Sequence, residues 1–229
     1  FKQMVDKNME DGMSQDKAMM KVIRQFLRES RNIRFEGNGY SEEWQKEAVA
    51  RGLKGIKNPV EAFKEYINKD TIKMFEAQNV LTAREAEARY EVLNEIFVKK
   101  LQIEARVLGD LTVNHIIPTA IRFQNSLINN VHGIKELFPD DYQQMCTTQL
   151  KLLKKISRYI NELQTLVHDM IDARKVANVI TDIPTKAATY YDTVYPFMDK
   201  IRVIADKLEM VVDDELWPLP KYREMLFLR

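Results

Sequence analysis

The sequence holds one cysteine, three histidines and seven glycines in 229 residues, and each shortage closes a set of options. Cys146 alone cannot form an internal disulfide, which points to a reducing compartment such as the cytoplasm. His115, His132 and His168 lie far apart, with no second His or Cys at metal-ligand spacing, so no metal site is expected. No run of about 18 apolar residues occurs, so no helix is expected to cross a membrane. Neither charge sign dominates: 35 Lys and Arg face 34 Asp and Glu, a net +1, without the basic excess of a nucleic-acid binder. Neither Gly-x-x-x-x-Gly-Lys-[Ser/Thr] nor Gly-x-Ser-x-Gly is present. No glycine follows Gly133.

What is there reads as helix. Apolar residues make up 45% and charged residues 30%, a globular composition. The glycine-free remainder is rich in Lys, Glu, Leu, Ile and Met, as long helices are. Residues 1–15 are polar and Met-rich, with a turn at Glu10-Asp11-Gly12. Ser14 caps a helix over about 15–29, with Met19, Met20, Ile23, Phe26 and Leu27 as its apolar face. A second helix runs from about 42 to 51 and stops at Gly52. Asn58-Pro59 opens a third, with Glu61 reaching back to the cap, and a short fourth lies near 71–77.

Thr82-Ala83-Arg84-Glu85 is a capping box. It opens a helix to about residue 132, kinked at Pro118, with Tyr90, Leu93, Phe97, Leu101, Leu108 and Leu111 as its stripe. The next helix, about 140–181, carries the seam Leu153, Ile156, Ile160, Leu163, Val167 and Met170. The last, about 185–212, contains Pro196 and carries Tyr191, Val194, Met198, Ile201, Ala205, Leu208 and Val212. The aromatic tail with Trp217, Tyr222 and Phe227 is expected to dock. The expected fold is all-α: an antiparallel bundle of three long helices, one Pro-kinked, with shorter N-terminal helices packed on it. Residues 1–40 read as a linking helix and turn from an upstream domain, and 41–229 as a C-terminal helical-bundle domain. The opening Phe1-Lys2-Gln3-Met4-Val5, with no initiator Met or leader, is read as a cut into a larger protein.

Chemistry is sparse. Asp140-Asp141 and Asp213-Asp214 sit at helix ends, where solvated carboxylates are common, and Cys146 is expected to be a buried free thiol. Asn114, His115 and Gln124 near Pro118 are expected to form a satisfied buried network rather than a site. Gly37-Asn38-Gly39 before Ser41 has the makings of an anion cradle at a helix start. A packed, capped turn with Phe35, Tyr40 and Trp44 around it is the simpler reading. No catalytic, cofactor-binding or metal-ligating residue is assigned.

Arg34-Phe35-Glu36-Gly37-Asn38-Gly39-Tyr40-Ser41-Glu42-Glu43-Trp44, followed by Glu47-Ala48 and Arg51-Gly52-Leu53, resembles the signature region near the C-terminus of type III glutamine synthetases. The likeness continues through Arg89-Tyr90-Glu91, Ile117-Pro118-Thr119-Ala120-Ile121-Arg122-Phe123-Gln124 and Leu216-Trp217-Pro218-Leu219-Pro220-Lys221-Tyr222-Arg223-Glu224-Met225-Leu226-Phe227. The resemblance implies a parent ligase that joins ammonia to glutamate with ATP and Mg or Mn, through a γ-glutamyl phosphate. It also implies a homo-oligomer of double hexameric rings. The family's catalytic and metal-binding residues would lie upstream, in a catalytic domain that this helical part serves as a partner, so the isolated chain is expected to be inactive. The alternative is a standalone helical module that forms coiled coils with a partner and has no enzymatic activity.

Overall fold

The computed structural model describes residues 1–226, together with the backbone but not the side chains of Tyr222 and Arg223. The described residues are helical with no strand among them. By compactness the chain divides at Pro59 into two units.

The first unit opens with α1 (Lys2–Glu10), in a stretch whose polarity gave no helical signal in the sequence. Gly12 at φ +88° makes the turn into α2 (Gln15–Glu29). The two helices meet over Val5, Ala18 and Val22, with Met4 and Met13 alongside. The expected face of α2 is corrected here: Met19, Met20, Phe26 and Leu27 are exposed, and Ile23 is half-buried. Contact with α1 selects the small residues Ala18 and Val22, which let the two backbones approach. A 3₁₀ turn (Arg31–Ile33) leads through the glycine turn into α3 (Glu42–Ala50), and Gly52 at φ +85° ends that helix.

The second unit begins with α4 (Pro59–Lys64), a 3₁₀ turn (Glu65–Ile67) and α5 (Lys69–Ala77). The Asn68 side chain caps α5 by accepting from the Asp70 amide at 3.0 Å. Then comes α6 (Ala83–Leu111), whose capping box forms as its sequence dictates: Thr82 Oγ1 accepts from the Glu85 amide at 3.3 Å, and Glu85 accepts from the Thr82 amide at 2.8 Å. The helix continues without a break through a π-turn (Thr112–Ile116) into α7 (Ile117–Leu137). A short α8 (Tyr142–Met145) and a turn at Cys146 precede α9 (Thr147–Val179). After it, α10 (Ile183–Thr189), a second π-turn (Tyr190–Val194) and α11 (Tyr195–Glu209) run together. A single turn, α12 (Tyr222–Met225), lies in the tail.

Each π-turn lies just N-terminal to a proline, Pro118 or Pro196. A proline ring crowds the carbonyl of the preceding turn and donates no hydrogen bond, so a widened turn absorbs the misfit without ending the helix.

Side-chain bonds fix the direction of packing in the second unit. Gln102 pairs with Asn178 at 2.8 Å, Gln124 with Ser157 at 2.8 Å, and Asn130 with Gln149 at 3.1 Å. Residue numbers rise on α6–α7 as they fall on α9, so these helices run antiparallel. α11 packs on α9 and on α6, and α10 on α6. The core is Leu101, Ile116, Ile156, Leu163, Val167, Met170, Tyr190, Val194, Ile201 and Leu208, with their neighbours. Each such side chain contributes about 1.5–3 kcal/mol of burial. The seams of α9 and α11 are thus covered by the chain's own helices.

On α6 the buried line is Ala86, Asn94, Val98, Leu101, Ala105 and Gly109, while Leu93, Phe97 and Leu108 flank it half-buried. Small residues hold the line because α9 comes close there: a methyl at Gly109 would meet Met170 and Val167 at 3.6 Å. Leu216, Trp217 and Leu219 pack on this core as the tail was expected to. The Tyr222 side chain and Phe227 lie outside the described residues.

Candidate functional site

The glycine turn before α3 is built from local demands. The Asn38 carboxamide oxygen accepts from the Tyr40 amide at 3.0 Å, and the Asn38 carbonyl accepts from the Ser41 amide at 3.0 Å. Ser41 Oγ then caps α3 by accepting from the Trp44 amide at 3.2 Å. Phe35 stacks on Trp44 with ring centroids 4.1 Å apart and planes 20° off parallel. A side chain at Gly37 would have its Cβ 2.5 Å from the Phe35 ring, whereas nothing lies within 4 Å of one at Gly39. The three aromatics do not all pack: Tyr40 is 96% exposed. The Asn38 hydrogen bonds turn the chain at Tyr40, so only Phe35 and Trp44 are left facing each other.

Arg51 holds the assembly together, a role that its place at the end of the signature region did not reveal. Its guanidinium sits 5.4 Å from the centre of the Trp44 ring, donates to the Arg34 carbonyl at 2.6 Å and to the Arg31 carbonyl at 3.5 Å, and pairs with Glu47. Arg34 in turn donates to the Leu27 carbonyl at 2.6 Å, tying the turn to the end of α2. The available signal was spacing: Trp44, Glu47 and Arg51 recur at three and four residues, one face of a helix.

Beside this clamp lies a polar depression of about 550 Å³ lined by Arg31, Asn32, Arg34, Glu36 and Arg51. Two of its three guanidiniums are engaged with backbone carbonyls, and the Glu36 carboxylate opposes an anion there. The amides of Tyr40, Ser41 and Trp44 are likewise paired within the turn. This arrangement suits a rigid joint better than a phosphate cradle.

The remaining candidates do not converge. Asn114 and His115 are exposed, with Asn114 donating to Asp110 at 2.6 Å, so the expected buried network around Pro118 does not form. The reason is the π-turn: Thr112 and Ile116 are its buried residues, and those between them face outward. Of Asn114, His115 and Gln124, Gln124 alone reaches a second helix, donating to Ser157 and to the Leu153 carbonyl. Arg122 binds Thr119 one turn back, at 2.8 Å. His132 and His168 are exposed partners of Glu136 and Asp172 at 3.4 Å. Cys146 is buried, and Asp140, Asp141, Asp213 and Asp214 are exposed. Among the described residues no three His, Cys, Asp or Glu side chains gather where a metal ion would sit.

Comparison with known proteins places these features. A family model described as glutamine synthetase C-terminal domain matches residues 18–135. A protein named glutamine synthetase from Bacteroides fragilis (strain YCH46) is 43% identical over 230 residues, covering 100% of this chain and 32% of that protein. A type-3 glutamine synthetase from Dictyostelium discoideum is 30% identical over 217 residues, covering 94% of this chain and 30% of its own length. A glutamine synthetase from Butyrivibrio fibrisolvens is 27% identical, over 90% of this chain and 29% of its own length. The chain thus spans about a third of the length of the curated relatives it matches.

Proposed function

This chain belongs to the glutamine synthetase C-terminal domain family, and from that membership we propose that it is the helical C-terminal part of a type III glutamate–ammonia ligase, with a structural and assembly role. The parent would join ammonia to glutamate at the expense of ATP, with Mg or Mn, in the cytoplasm. A relative named type-3 matching over nearly the whole chain supports the type. No helix among the described residues is long and apolar enough to cross a membrane. The partners in this reading are the rest of the parent polypeptide and further copies of it, assembled as double hexameric rings. Residues 1–40 would form the link and 41–229 the helical domain.

ATP and a divalent metal do not fit the residues present. No cluster of three carboxylate, imidazole or thiol groups gathers for a metal among the described residues, and the amides of Tyr40, Ser41 and Trp44 are already paired. In this reading, as the family resemblance implies, catalytic, cofactor-binding and metal-ligating groups belong to the rest of the parent, and none is assigned to this chain.

The observation that carries the structural role is the use of the signature residues: Phe35, Gly37, Ser41, Trp44 and Arg51 are spent on holding a joint. The test is an assay of the isolated chain with glutamate, ammonia, ATP and Mg. Glutamine formation no faster than without protein is expected, and turnover by the isolated chain would place catalysis here.

A further inference from the structure

The seam of α9 does not end with its apolar residues. Leu163, Val167 and Met170 are followed at the same alternation of four and three by Arg174 and Ala177, so a cation occupies a core-facing position. Leu163, Val167, Met170 and Ala177 are all almost completely buried, and the Nε–H of Arg174 is itself buried with no hydrogen-bond partner. The antiparallel register gives this cation a neighbour. Gln102 lies opposite Asn178, and Gly109 opposite Met170 and Val167, so Arg106 falls opposite Arg174 between those two contacts.

The register thus sets these two arginines at the same level of α6 and α9. Among the described residues neither forms an ion pair with a carboxylate, and the neighbouring Asp110 is bound to Asn114. Next to them Asn178 Oδ1 accepts from both Gln102 Nε2, at 2.8 Å, and Tyr190 Oη, at 2.7 Å. Burial raises the Tyr190 hydroxyl above its ordinary range, against the lowering effects of Gln102, Arg174, Arg106 and Asn178. Both arginines therefore direct positive charge at this point. Two like charges at one level beside a buried, unpartnered N–H are costly, and an anion between them offsets that cost.

We propose that Arg106 and Arg174, beside Gln102 and Tyr190, bind a doubly charged oxyanion of the phosphate or dicarboxylate class. Two planar guanidinium forks match such an ion in charge and in bidentate geometry. Arg174 supplies the inner contact from the seam, and the exposed Arg106 closes the site from the surface. The site uses only helices of the second unit and does not depend on the parent's activity.

The test is thermal unfolding of the full chain in inorganic phosphate, in malonate, and in sodium chloride of matched ionic strength. A saturable rise in Tm of about 3–6 °C is expected for at least one of the two dianions at ten times its Kd, over the chloride control. Which dianion responds identifies the source of the charge. In Arg174→Met, where methionine continues the seam, and in the surface variant Arg106→Gln, that rise should fall to the chloride level with circular dichroism unchanged. No rise in either dianion, or an equal rise in both variants, would overturn the proposal. Should Arg174→Met not fold, Arg106→Gln alone decides.

Discussion

Gly37 and Gly39 stand two positions apart and answer to different neighbours. Only Gly37 lies under the Phe35 ring, and that ring is itself held against Trp44. Gly37→Ala must therefore push Phe35 off its partner, with an expected loss of about 0.5–1.5 kcal/mol, the worth of an aromatic pair. Gly39→Ala enters open space and is expected to change stability by less than about 0.5 kcal/mol. Near-UV circular dichroism from the tryptophans and a urea melt of each variant check this pair. Equal effects at both positions would mean that the stack does not set the requirement for glycine. Arg51 acts at the same scale: one side chain meets a ring, a carboxylate and two carbonyls, so its guanidinium is committed to holding the turn.

At the scale of the element, the longest helical stretch begins at a cap that titrates. Hydrogen bonds from the Thr82 amide and hydroxyl hold the Glu85 carboxyl below its ordinary value. The folded value lies below the unfolded one, so this contribution is fully present above the unfolded value and is lost as pH falls through the folded one. Thr82→Ala is expected to destabilise α6 by about 1 kcal/mol at neutral pH. The deficit should shrink as the carboxylate is protonated in both proteins, which urea melts across the acid range would follow.

Caps of this kind made the helices legible. Thr82 with Glu85, Asn58 before Pro59, and Gly52 past α3 all mark boundaries where the structure has them. The seam of α9 was equally plain, because large apolar residues alternate at three and four. The buried side of α6 was not, because close approach of α9 favours Ala105 and Gly109 over the larger Leu93 and Phe97 beside them. The surroundings of Pro118 were misjudged because a π-turn shifts the helical phase, and the type of turn is not written in residue spacing. Arg174 escaped notice because a pattern defined by apolar residues stops at the first cation. At the glycine turn the capped geometry was legible in Ser41, whereas the clamp by Arg51 depends on contacts with Arg31 and Arg34, some twenty residues earlier in the chain.

Across the whole molecule, stability and information are unevenly divided. The first unit has a small core of Val5, Ala18 and Val22 and carries the signature turn. The second has the extended core of the long helices. Neither gathers three His, Cys, Asp or Glu side chains about a metal position among the described residues. The chain spans about a third of the length of its relatives, and in the proposed role its long helices would supply the surface that holds subunits together. In the proposed role this part assembles the enzyme while chemistry resides in the rest of the parent. Its most direct test is the native mass of the full-length parent with and without residues 60–229, measured alongside ATP binding by both forms. The expected result is a fall from the ring to smaller species, with ATP still bound by the shortened protein. An intact ring of the shortened protein, or ATP binding that disappears and is recovered in the isolated chain, would contradict it.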